Sequence, residues 1–522
     1  MVVIMIQIYD TTLRDGTQSK EISLACNDKL NIACRLDELG VAFIEGGWPG
    51  SNPKDVEFFI RAKDMTWRNA KIVAFGSTCQ ANKNPEEDSN IQALIGAETE
   101  YCTVVGKTSV LHVKDVLRTT LDNNLRMIEQ SIAHLRDQGR RIIYDAEHFF
   151  DGYKEDAGYA LETLKSAFRG GAETVVLCDT NGGSMPWQIA EMVRSVHSVV
   201  DIPLGIHAHN DGECAVANSI TAVREGCIQV QGTINGYGER CGNANLCSII
   251  PDLELKLGLQ ALPPGQLSQL FDISHYVAEV ANLAPDEHLA YVGKAAFAHK
   301  GGIHVAAMRR NAKSYQHIDP ALVGNRMGVV VSELSGRGNL LSKAEEYGIE
   351  VGQGEQVSGV LSEIKMLESR GFSFEAAEAS VIMMLKRLEK GYTPPFELID
   401  FSATVEHRQG RGIFAEATIK VRVDGDVIHT AAEGNGPVNA LDIALRKALA
   451  GHHPAINQFH LSDYKVRILD GKTGTAAVTR VLIETQNETK TWNTVGASSN
   501  IIEASWQALV DSVEYGLMVT AH

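Results

Sequence analysis

The chain has 522 residues, of which 44% are hydrophobic and 22% are charged, and it carries a net charge of -17 with a pI of about 5.5. A single hydrophobic core rarely extends over so many residues, so this length predicts a globular protein of two or three domains. The acidic balance argues against nucleic acid or an anionic membrane as the main partner, and no run approaches the ~20 apolar residues of a membrane helix.

The cysteines indicate the compartment. There are nine, at scattered positions and without a CxxC pair. This odd, dispersed set argues against a disulfide framework or a structural zinc site and favours a reducing cytoplasm. The first apolar run is interrupted by Gln7 and Asp10, which is not typical of a secretion signal.

Residues 1–265 contain eight short β-branched runs, each followed by a stretch with apolar residues at helical spacing. Their starts are spaced by roughly 25 to 40 residues, which fits one βα unit each. The predicted strands are Met5–Tyr9, Val41–Glu45, Lys71–Phe75, Tyr101–Val105, Arg141–Asp145, Thr174–Cys178, Pro203–His207 and Ile228–Thr233.

The segments between these strands read as helices. In "NDKLNIACRLDELG" the apolar residues recur at helical spacing and a glycine follows as a stop signal. Eight parallel βα units predict a closed (β/α)8 TIM barrel of the α/β class. An open doubly wound sheet is the alternative, but no GxGxxG motif follows the first strand.

Polar side chains recur where the predicted strands end. This end of a (β/α)8 barrel is the one that carries catalytic residues, so the recurrence is the strongest functional signal in the sequence itself. These side chains are Arg14, Asp15, Glu45, Glu147, Asp179, Thr180, His207, His209 and Asn243.

Two histidines suggest a metal site. His207 and His209 are two residues apart on a predicted strand, so both side chains point to one face. In a closed barrel the seventh, eighth and first strands are neighbours, which lets Asp15 and Asn243 approach them. Two imidazoles, a carboxylate and an amide oxygen suit a divalent cation. The alternative is that the histidines only donate hydrogen bonds and that Asn243 is a turn residue.

The motifs resemble one family. "YDTTLRDGTQ", "HAHND" and "GYGERCGNANL" are similar to the metal-dependent barrels of 2-isopropylmalate, homocitrate and citramalate synthases and of hydroxymethylglutaryl-CoA lyase. "HKGGIHVAA", "YQHIDPALVGN" and "SGRGNL" resemble the helical subdomains of the synthases. "RDGTQ" in place of the common RDGEQ, together with "EGGWPGSNPKD", resembles a citramalate-forming branch of the family.

The resemblance implies an acyltransferase that converts the acyl group to an alkyl group on transfer. The reaction would be a Claisen-type condensation of acetyl-CoA with pyruvate, followed by thioester hydrolysis to citramalate and CoA. Its product would feed threonine-independent isoleucine synthesis through 2-oxobutanoate. Sister synthases acting on 2-oxoisovalerate or 2-oxoglutarate remain alternatives, because their pockets differ by a few methylenes. An acyl-CoA lyase or a non-catalytic amino-acid sensor fits the motifs less well.

The resemblance also implies residue roles. Asp15, His207 and His209 would hold the ion, which is Mg2+, Mn2+ or Zn2+, with Asn243 as a further ligand. Arg14 would donate to the keto oxygen, and Thr180 would hydrogen-bond the substrate carboxylate. Glu147 would remove the acetyl proton, assisted by His304 and Tyr315, which in the family reach the active site of the partner subunit. A homodimer is therefore expected. The alternatives are that Glu147 pairs with a neighbouring base, that His304 caps a helix and that Tyr315 packs in an interface.

Beyond the barrel the pattern changes twice. Residues 266–390 are helix-rich and are expected to form linker subdomains that complete the partner's active site. "EKGYTPPFE" marks a boundary, and residues 391–522 alternate in polarity like strands, with a "VDGD" hairpin signal. This last segment resembles the allosteric and dimerisation domain of the synthases.

The last segment contains a weak internal repeat of strands, a loop and a helix. Each loop ends in small residues at a helix N-terminus, where free backbone N–H groups attract carboxylates. The family resemblance suggests that Gly434, Gly436, Gly496 and Ser498 bind an inhibitory amino acid, with isoleucine expected. Deletion of 391–522 is then predicted to leave some activity and to remove inhibition. A plain dimerisation domain is the alternative.

Overall fold

The chain folds into two compact units in the computed structural model, which describes residues 5–329, 331–332, 335–350, 355–409, 412–469 and 476–520. The first unit holds the chain up to Phe297 together with Ile318–Arg326. The second holds Ala298–His317 together with the chain from Met327 onwards. The predicted boundary near residue 265 falls inside the first unit, because Leu267, Leu270 and Ile273 pack into the barrel's core.

The first unit is a closed barrel of eight parallel strands, which confirms the predicted fold class. Each strand pairs with the next in chain order, and the last pairs with the first. Every predicted strand lies within a few residues of an observed one. The strands are β1 Gln7–Asp10, β2 Phe43–Gly47, β3 Lys71–Ser77, β4 Tyr101–Lys107, β5 Arg141–Glu147, β6 Thr174–Asp179, β7 Leu204–Ala208 and β8 Gln229–Gly232.

Helices cover the outside of the barrel, so its strands are buried on both faces. Their apolar sides share one hydrophobic core with the outward-facing strand residues. The helices are α1 Cys26–Leu39, α2 Pro53–Lys63, α3 Ser89–Gly96, α4 Leu121–Asp137, α5 Phe149–Glu155, α6 Ala157–Gly170, α7 Pro186–His197, α8 Ala215–Arg224, α9 Leu246–Pro251 and α10 Leu270–Val280.

Helix α1 shows how local sequence sets these boundaries. The backbone N–H of Ala25 donates to the Asp28 carboxylate at 2.7 Å, which caps the helix start. The helix ends where Gly40 adopts the left-handed conformation, with a φ of 93°. The predicted helix and its glycine stop are both confirmed.

The barrel interior is filled from the start of the strands. A small buried cluster of inward-facing side chains closes that end, so the barrel is a packed core rather than a pore. Its members are Tyr9, Phe43, Val73, Tyr101, Ile143, Val176 and Cys178. Polar inward-facing side chains begin above this layer, at the carboxyl ends of the strands.

The second unit begins with two short strands and four helices. Strands β9 Ala298–His299 and β10 Gly328–Val329 pair in parallel. The helices are α11 Gly302–Arg310, α12 Arg337–Glu346, α13 Glu355–Ser369 and α14 Glu378–Lys386. The predicted helix-rich character of this stretch is confirmed.

The rest of the second unit is a structural repeat of three antiparallel strands and a helix. The first copy contains β11 Glu397–Arg408, β12 Gly412–Val423, β13 Asp426–Gly434 and α15 Pro437–Leu449. The second contains β14 His460–Ile468, β15 Thr479–Gln486, β16 Thr491–Ser498 and α16 Ile501–Thr520. The "VDGD" hairpin is confirmed, since Asp424 and Gly425 both have positive φ in a two-residue turn.

One hydrophobic core joins the repeat to the preceding helices. It includes Leu340, Ile364 and Ile382 before residue 390, and Leu445 and Val513 after it.

The nine cysteines, all in the described part of the chain, are free thiols. Among the described residues, no helix is both long and apolar enough to cross a bilayer.

Candidate active site

The predicted metal ligands meet at the carboxyl end of the barrel. Asp15 lies in the turn after β1, His207 lies near the end of β7, and His209 follows one residue beyond that strand. All three are buried, and one possible ligand atom from each lies within 4.8 Å of the others. The closed barrel therefore brings these residues together as the sequence predicted.

Unsatisfied atoms in this group fit a cation. Asp15 Oδ1, His209 Nδ1 and Asn243 Oδ1 are buried and have no hydrogen-bond partner in the described structure. Buried polar atoms are normally paired, so convergent unpaired acceptors need an explanation. A carboxylate, two imidazoles and an amide oxygen are a donor set that suits a divalent ion.

The turn after β8 places Asn243 by means of two glycines. Gly238 has a φ of 156°, and a Cβ there would lie 2.1 Å from Asn243 Nδ2. Gly242 has a φ of 90°, and a Cβ there would lie 2.0 Å from the Gly236 carbonyl oxygen. Asn243 then forms an isolated β-bridge with His209. The "GYGERCGN" motif is therefore a tight turn that delivers an amide to the histidines.

A hydrogen-bonded chain orients His207. Its Nδ1 lies 2.8 Å from Gln231 Oε1, and Gln231 Nε2 donates to Asp145 Oδ1 at 2.9 Å. Because an amide oxygen accepts, Nδ1 carries the proton and the Nε2 lone pair faces Asp15 Oδ2, 3.4 Å away. Sequence reasoning missed Gln231 and Asp145. The sequence signal that could have found Gln231 is the pair of glutamines in "QVQG", because a barrel strand, which is buried here along its whole length, is normally apolar.

Charges at the site favour the forms that bind metal. Burial opposes ionisation of Asp15, but Arg14, His207 and His209 lower the pKa of its carboxyl to about 2. Burial and the neighbouring His207 lower the pKa of His209 to about 4. Burial and the charge of Glu45 raise the pKa of Asp145 to about 8. The site therefore holds an ionised aspartate and a neutral histidine at neutral pH.

Arg14 is held beside the metal ligands by two carboxylates. Its Nε donates to Glu45 Oε1 at 2.5 Å, and its Nη1 lies 3.1 Å from Asp15 Oδ2. Its guanidinium carbon lies 3.8 Å above the centre of the Phe75 ring. Burial alone would lower the pKa of Arg14, but the charges of Glu45 and Asp15 raise it. Tyr9 donates to Glu45 Oε2 at 2.6 Å. This bond fixes the Glu45 carboxylate, which in turn orients Arg14.

The polar residues of "YDTTLRDGTQ" that do not face the site shape its loop. Asp10 accepts from the backbone N–H and the hydroxyl of Thr12, each at 2.9 Å. Thr12 in turn accepts from the Ile234 N–H at 2.9 Å. Thr17 donates to the Arg14 carbonyl at 2.7 Å. The loop after β1 is thus hydrogen-bonded within itself and to the turn after β8.

A cavity of about 810 Å3 opens above these residues and holds more of the predicted set. Glu147 lines it but forms an ion pair with Lys107, and both side chains are about a quarter exposed (24% and 23%). Thr180 also lines the cavity, and its hydroxyl oxygen accepts from the His148 N–H at 2.8 Å. The pairing of Glu147 with a base, foreseen as an alternative, is present.

Lys29 and Asp55 fix the cavity wall formed after β2. They form a buried ion pair, and Lys29 also donates to the Gly46 carbonyl at 3.1 Å. Asp55 Oδ2 accepts from the Trp48 N–H at 2.8 Å. The Trp48 ring then lies edge-on to Phe75, 5.5 Å between centroids, and lines the cavity.

The remaining predicted residues lie in the second unit. The rings of His304 and Tyr315 stack with centroids 4.1 Å apart, and Tyr315 is 46% exposed. Gly434 is the last residue of β13, and Gly436 lies just before α15. Gly496 and Ser498 lie at the end of β16, just before α16. The Ser498 hydroxyl donates to Glu503 Oε2 at 2.7 Å.

Three known families match successive parts of the chain. Residues 5–277 match the HMGL-like family, and residues 291–371 match the homocitrate synthase post-HMGL domain-like family. Residues 375–517 match the LeuA allosteric (dimerisation) domain.

Curated relatives match over nearly the whole chain. The (R)-citramalate synthase of Geobacter sulfurreducens is 53% identical, with 98% of each chain covered. That of Synechocystis sp. is 52% identical over 98% of this chain and 96% of its own. A 2-isopropylmalate synthase of Methanocaldococcus jannaschii is 28% identical over 97% of this chain and 94% of its own. The chain thus belongs to the HMGL-like barrel enzymes and, within them, to the (R)-citramalate synthase family.

Proposed function

We propose that this enzyme condenses acetyl-CoA with pyruvate and hydrolyses the thioester, which yields citramalate and CoA. The observation that carries the proposal is the convergence of Asp15, His207, His209 and Asn243 beside Arg14, in a cavity at the catalytic end of the barrel. The names of the relatives support pyruvate as the 2-oxo acid.

The barrel side chains bind and polarise the 2-oxo acid. Asp15, His207, His209 and Asn243 would hold a divalent ion, Mg2+, Mn2+ or Zn2+, which supplies Lewis acidity toward a ketone. Arg14 has N–H donors beyond its contacts with Glu45 and Asp15, and these stabilise the oxygen of the ketone as it gains negative charge. Thr180 accepts from the His148 N–H and keeps its own hydroxyl proton to donate to the substrate carboxylate.

Glu147 removes a proton from the acetyl methyl group. Its carboxylate lines the same cavity as Arg14 and Thr180, the residues proposed to bind the 2-oxo acid. A base must lie within reach of the acetyl group that reacts with this acid. His304 and Tyr315, stacked on each other in the second unit, would assist in the active site of a second subunit, so the active enzyme is a homodimer. The LeuA-type dimerisation domain supports this assembly.

The product would serve isoleucine synthesis through 2-oxobutanoate, and isoleucine is the proposed inhibitor. The loops that contain Gly434, Gly436, Gly496 and Ser498 lie at the starts of α15 and α16, where backbone N–H groups attract a carboxylate. The nine free cysteines are consistent with the reducing cytoplasm that the sequence predicts.

The reaction is tested by CoA release with purified protein, acetyl-CoA and Mn2+. Pyruvate, 2-oxobutanoate, 2-oxoisovalerate and 2-oxoglutarate are compared separately, and pyruvate is expected to give the highest kcat/KM. A preference for 2-oxoisovalerate would keep the metal site and the chemistry but would refute citramalate formation. Absence of CoA release with all four acids would refute the condensation itself.

The metal assignment is tested at Asp15. Asp15→Ala removes the ionised ligand, so turnover with pyruvate should be abolished even at saturating Mn2+. Asp64→Ala, an exposed aspartate after α2, serves as the control and should behave as wild type. Near-normal activity of Asp15→Ala would refute the assignment.

A further inference from the structure

The cavity contains four cationic side chains, and their partners differ. Arg14 faces Glu45 and Asp15, and Arg240 is held by both oxygens of Asp211 at 2.7 and 2.9 Å. Arg118 also lines the cavity, but its side chain is exposed to solvent. Lys107 pairs with Glu147, the carboxylate proposed to take the substrate proton.

Strand register places Lys107 beside Glu147. The two residues are direct partners at the last position of β4 and β5, so their side chains leave adjacent strands at the same height. The ion pair is therefore built into the barrel and faces the cavity.

This pairing has a consequence for charge during proton transfer. When Glu147 accepts a proton, its negative charge disappears and Lys107 loses its counter-ion. At the same moment the C–H bond of the acetyl group breaks, and its electron pair forms a C=C bond while the thioester oxygen becomes an enolate. One negative charge thus leaves the carboxylate and appears on the substrate oxygen, a few ångströms away.

We propose that Lys107 is a catalytic residue that transfers its ion pair from Glu147 to the enolate oxygen of acetyl-CoA. The inference rests on the proposed condensation and on Glu147 as its base. A cation already held next to the base needs no rearrangement to meet the developing charge, which is the condition under which such groups accelerate a reaction most. The enolate carbon then attacks the ketone, and the thioester carbonyl is re-formed.

Arg14 and Arg240 are less suited to this role. The carboxylates that hold them, Glu45 and Asp15 for Arg14 and Asp211 for Arg240, keep their charge throughout the reaction, so neither arginine gains an unpaired charge when the acetyl proton leaves. Arg14 is also committed to the keto oxygen of the other substrate. Arg118 is exposed, so solvent screens its charge. Among the three cations paired with carboxylates, Lys107 is the one whose partner changes at this step.

The test compares Lys107→Gln, Lys107→Met and Lys107→Arg with wild type in CoA release from acetyl-CoA and pyruvate across the pH range. Both neutral variants should lower kcat by about 10²–10³-fold at every pH, the loss seen when one oxyanion donor is removed. KM for pyruvate and the Kd for Mn2+ should stay unchanged, and Lys107→Arg should recover part of the rate. Lys71→Gln, which removes a strand lysine paired with Glu100 outside the cavity, is the matched control.

Two outcomes would overturn the inference. The first is a kcat within threefold of wild type for a folded Lys107→Gln or Lys107→Met. The second is a loss restricted to one limb of the pH–rate profile with the plateau rate retained, because Lys107 would then act only through the Glu147 carboxylate. Thermal unfolding identifies a variant that fails to fold, and the other neutral variant then decides. Wild-type protein without CoA release would instead defeat the proposed function.

Discussion

Gln231 shows how one buried amide can decide the state of a metal ligand. Its oxygen accepts from His207 and its NH2 group donates to Asp145, so its orientation is fixed at both ends. Gln231→Leu leaves the His207 Nδ1–H and the Asp145 carboxyl without this partner. We expect the Kd for Mn2+, measured by calorimetry, to rise by about 10–100-fold, as for other supporting residues of metal sites.

Gln229→Leu is the matched control for Gln231. Gln229 lies two residues earlier on β8 and faces the same interior, but it contacts Gln7 at 3.3 Å rather than a metal ligand. Its replacement should leave Mn2+ affinity unchanged. Equal affinity of the Gln231→Leu variant and wild type would show that His207 is oriented by other means.

The turn after β8 is the element on which the fourth ligand depends. In Gly238→Ala the new Cβ would collide with the Asn243 amide, and the residue would be strained at a φ of 156°. We expect a loss of about 1–3 kcal/mol in stability and at least a tenfold loss in Mn2+ affinity. Thermal unfolding with and without Mn2+ measures both effects.

Gly183→Ala controls for the loss of a glycine near the site. Gly183 follows β6, and a Cβ there would meet no atom within 4 Å. This variant should resemble wild type in both measurements. If Gly238→Ala binds Mn2+ with wild-type affinity, Asn243 is not a ligand.

The elements that the sequence predicted well are those with local signals. The eight strands follow from short β-branched runs at a regular spacing, and α1 and the "VDGD" turn follow from glycine and cap positions. His207, His209 and Asp15 could be predicted because the barrel closes β7, β8 and β1 into neighbours. The Gln231–Asp145 and Lys107–Glu147 pairs depend on strand register, which no local pattern specifies.

At the scale of the whole molecule, the helices before residue 390 and the sheet-and-helix repeat after it share one hydrophobic core. In addition, Ser380 accepts from the Val495 N–H at 3.1 Å, and Arg387 pairs with Glu514 at 2.9 Å. A chain that ends at residue 390 should therefore expose apolar helix faces, bind a hydrophobic dye strongly and aggregate. A monodisperse truncated chain without dye binding would contradict this. Truncation is thus a poor test of inhibition.

Gly436 offers a better test of inhibition in the intact chain. Its φ is -169°, which any residue adopts, and a Cβ there would meet no atom within 4 Å. Gly436→Ala therefore adds one methyl group to the proposed effector loop without a clash inside the protein. By contrast, a Cβ at Gly496 would lie 2.0 Å from the Ala504 carbonyl oxygen, so that position would disturb the fold.

If isoleucine binds at this loop, the added methyl group will collide with it. The isoleucine concentration for half-inhibition should then rise about tenfold or more, as expected for a clash of 1–2 kcal/mol, relative to each variant's own uninhibited rate. Gly451→Ala, after α15 and equally unhindered, should keep wild-type sensitivity. Unchanged inhibition of Gly436→Ala would place the effector elsewhere. An uninhibited wild type would leave the LeuA-type domain with assembly alone. A rise in the half-inhibition concentration of Gly436→Ala is the expected result, because this loop leads into the start of α15, where backbone N–H groups attract a carboxylate.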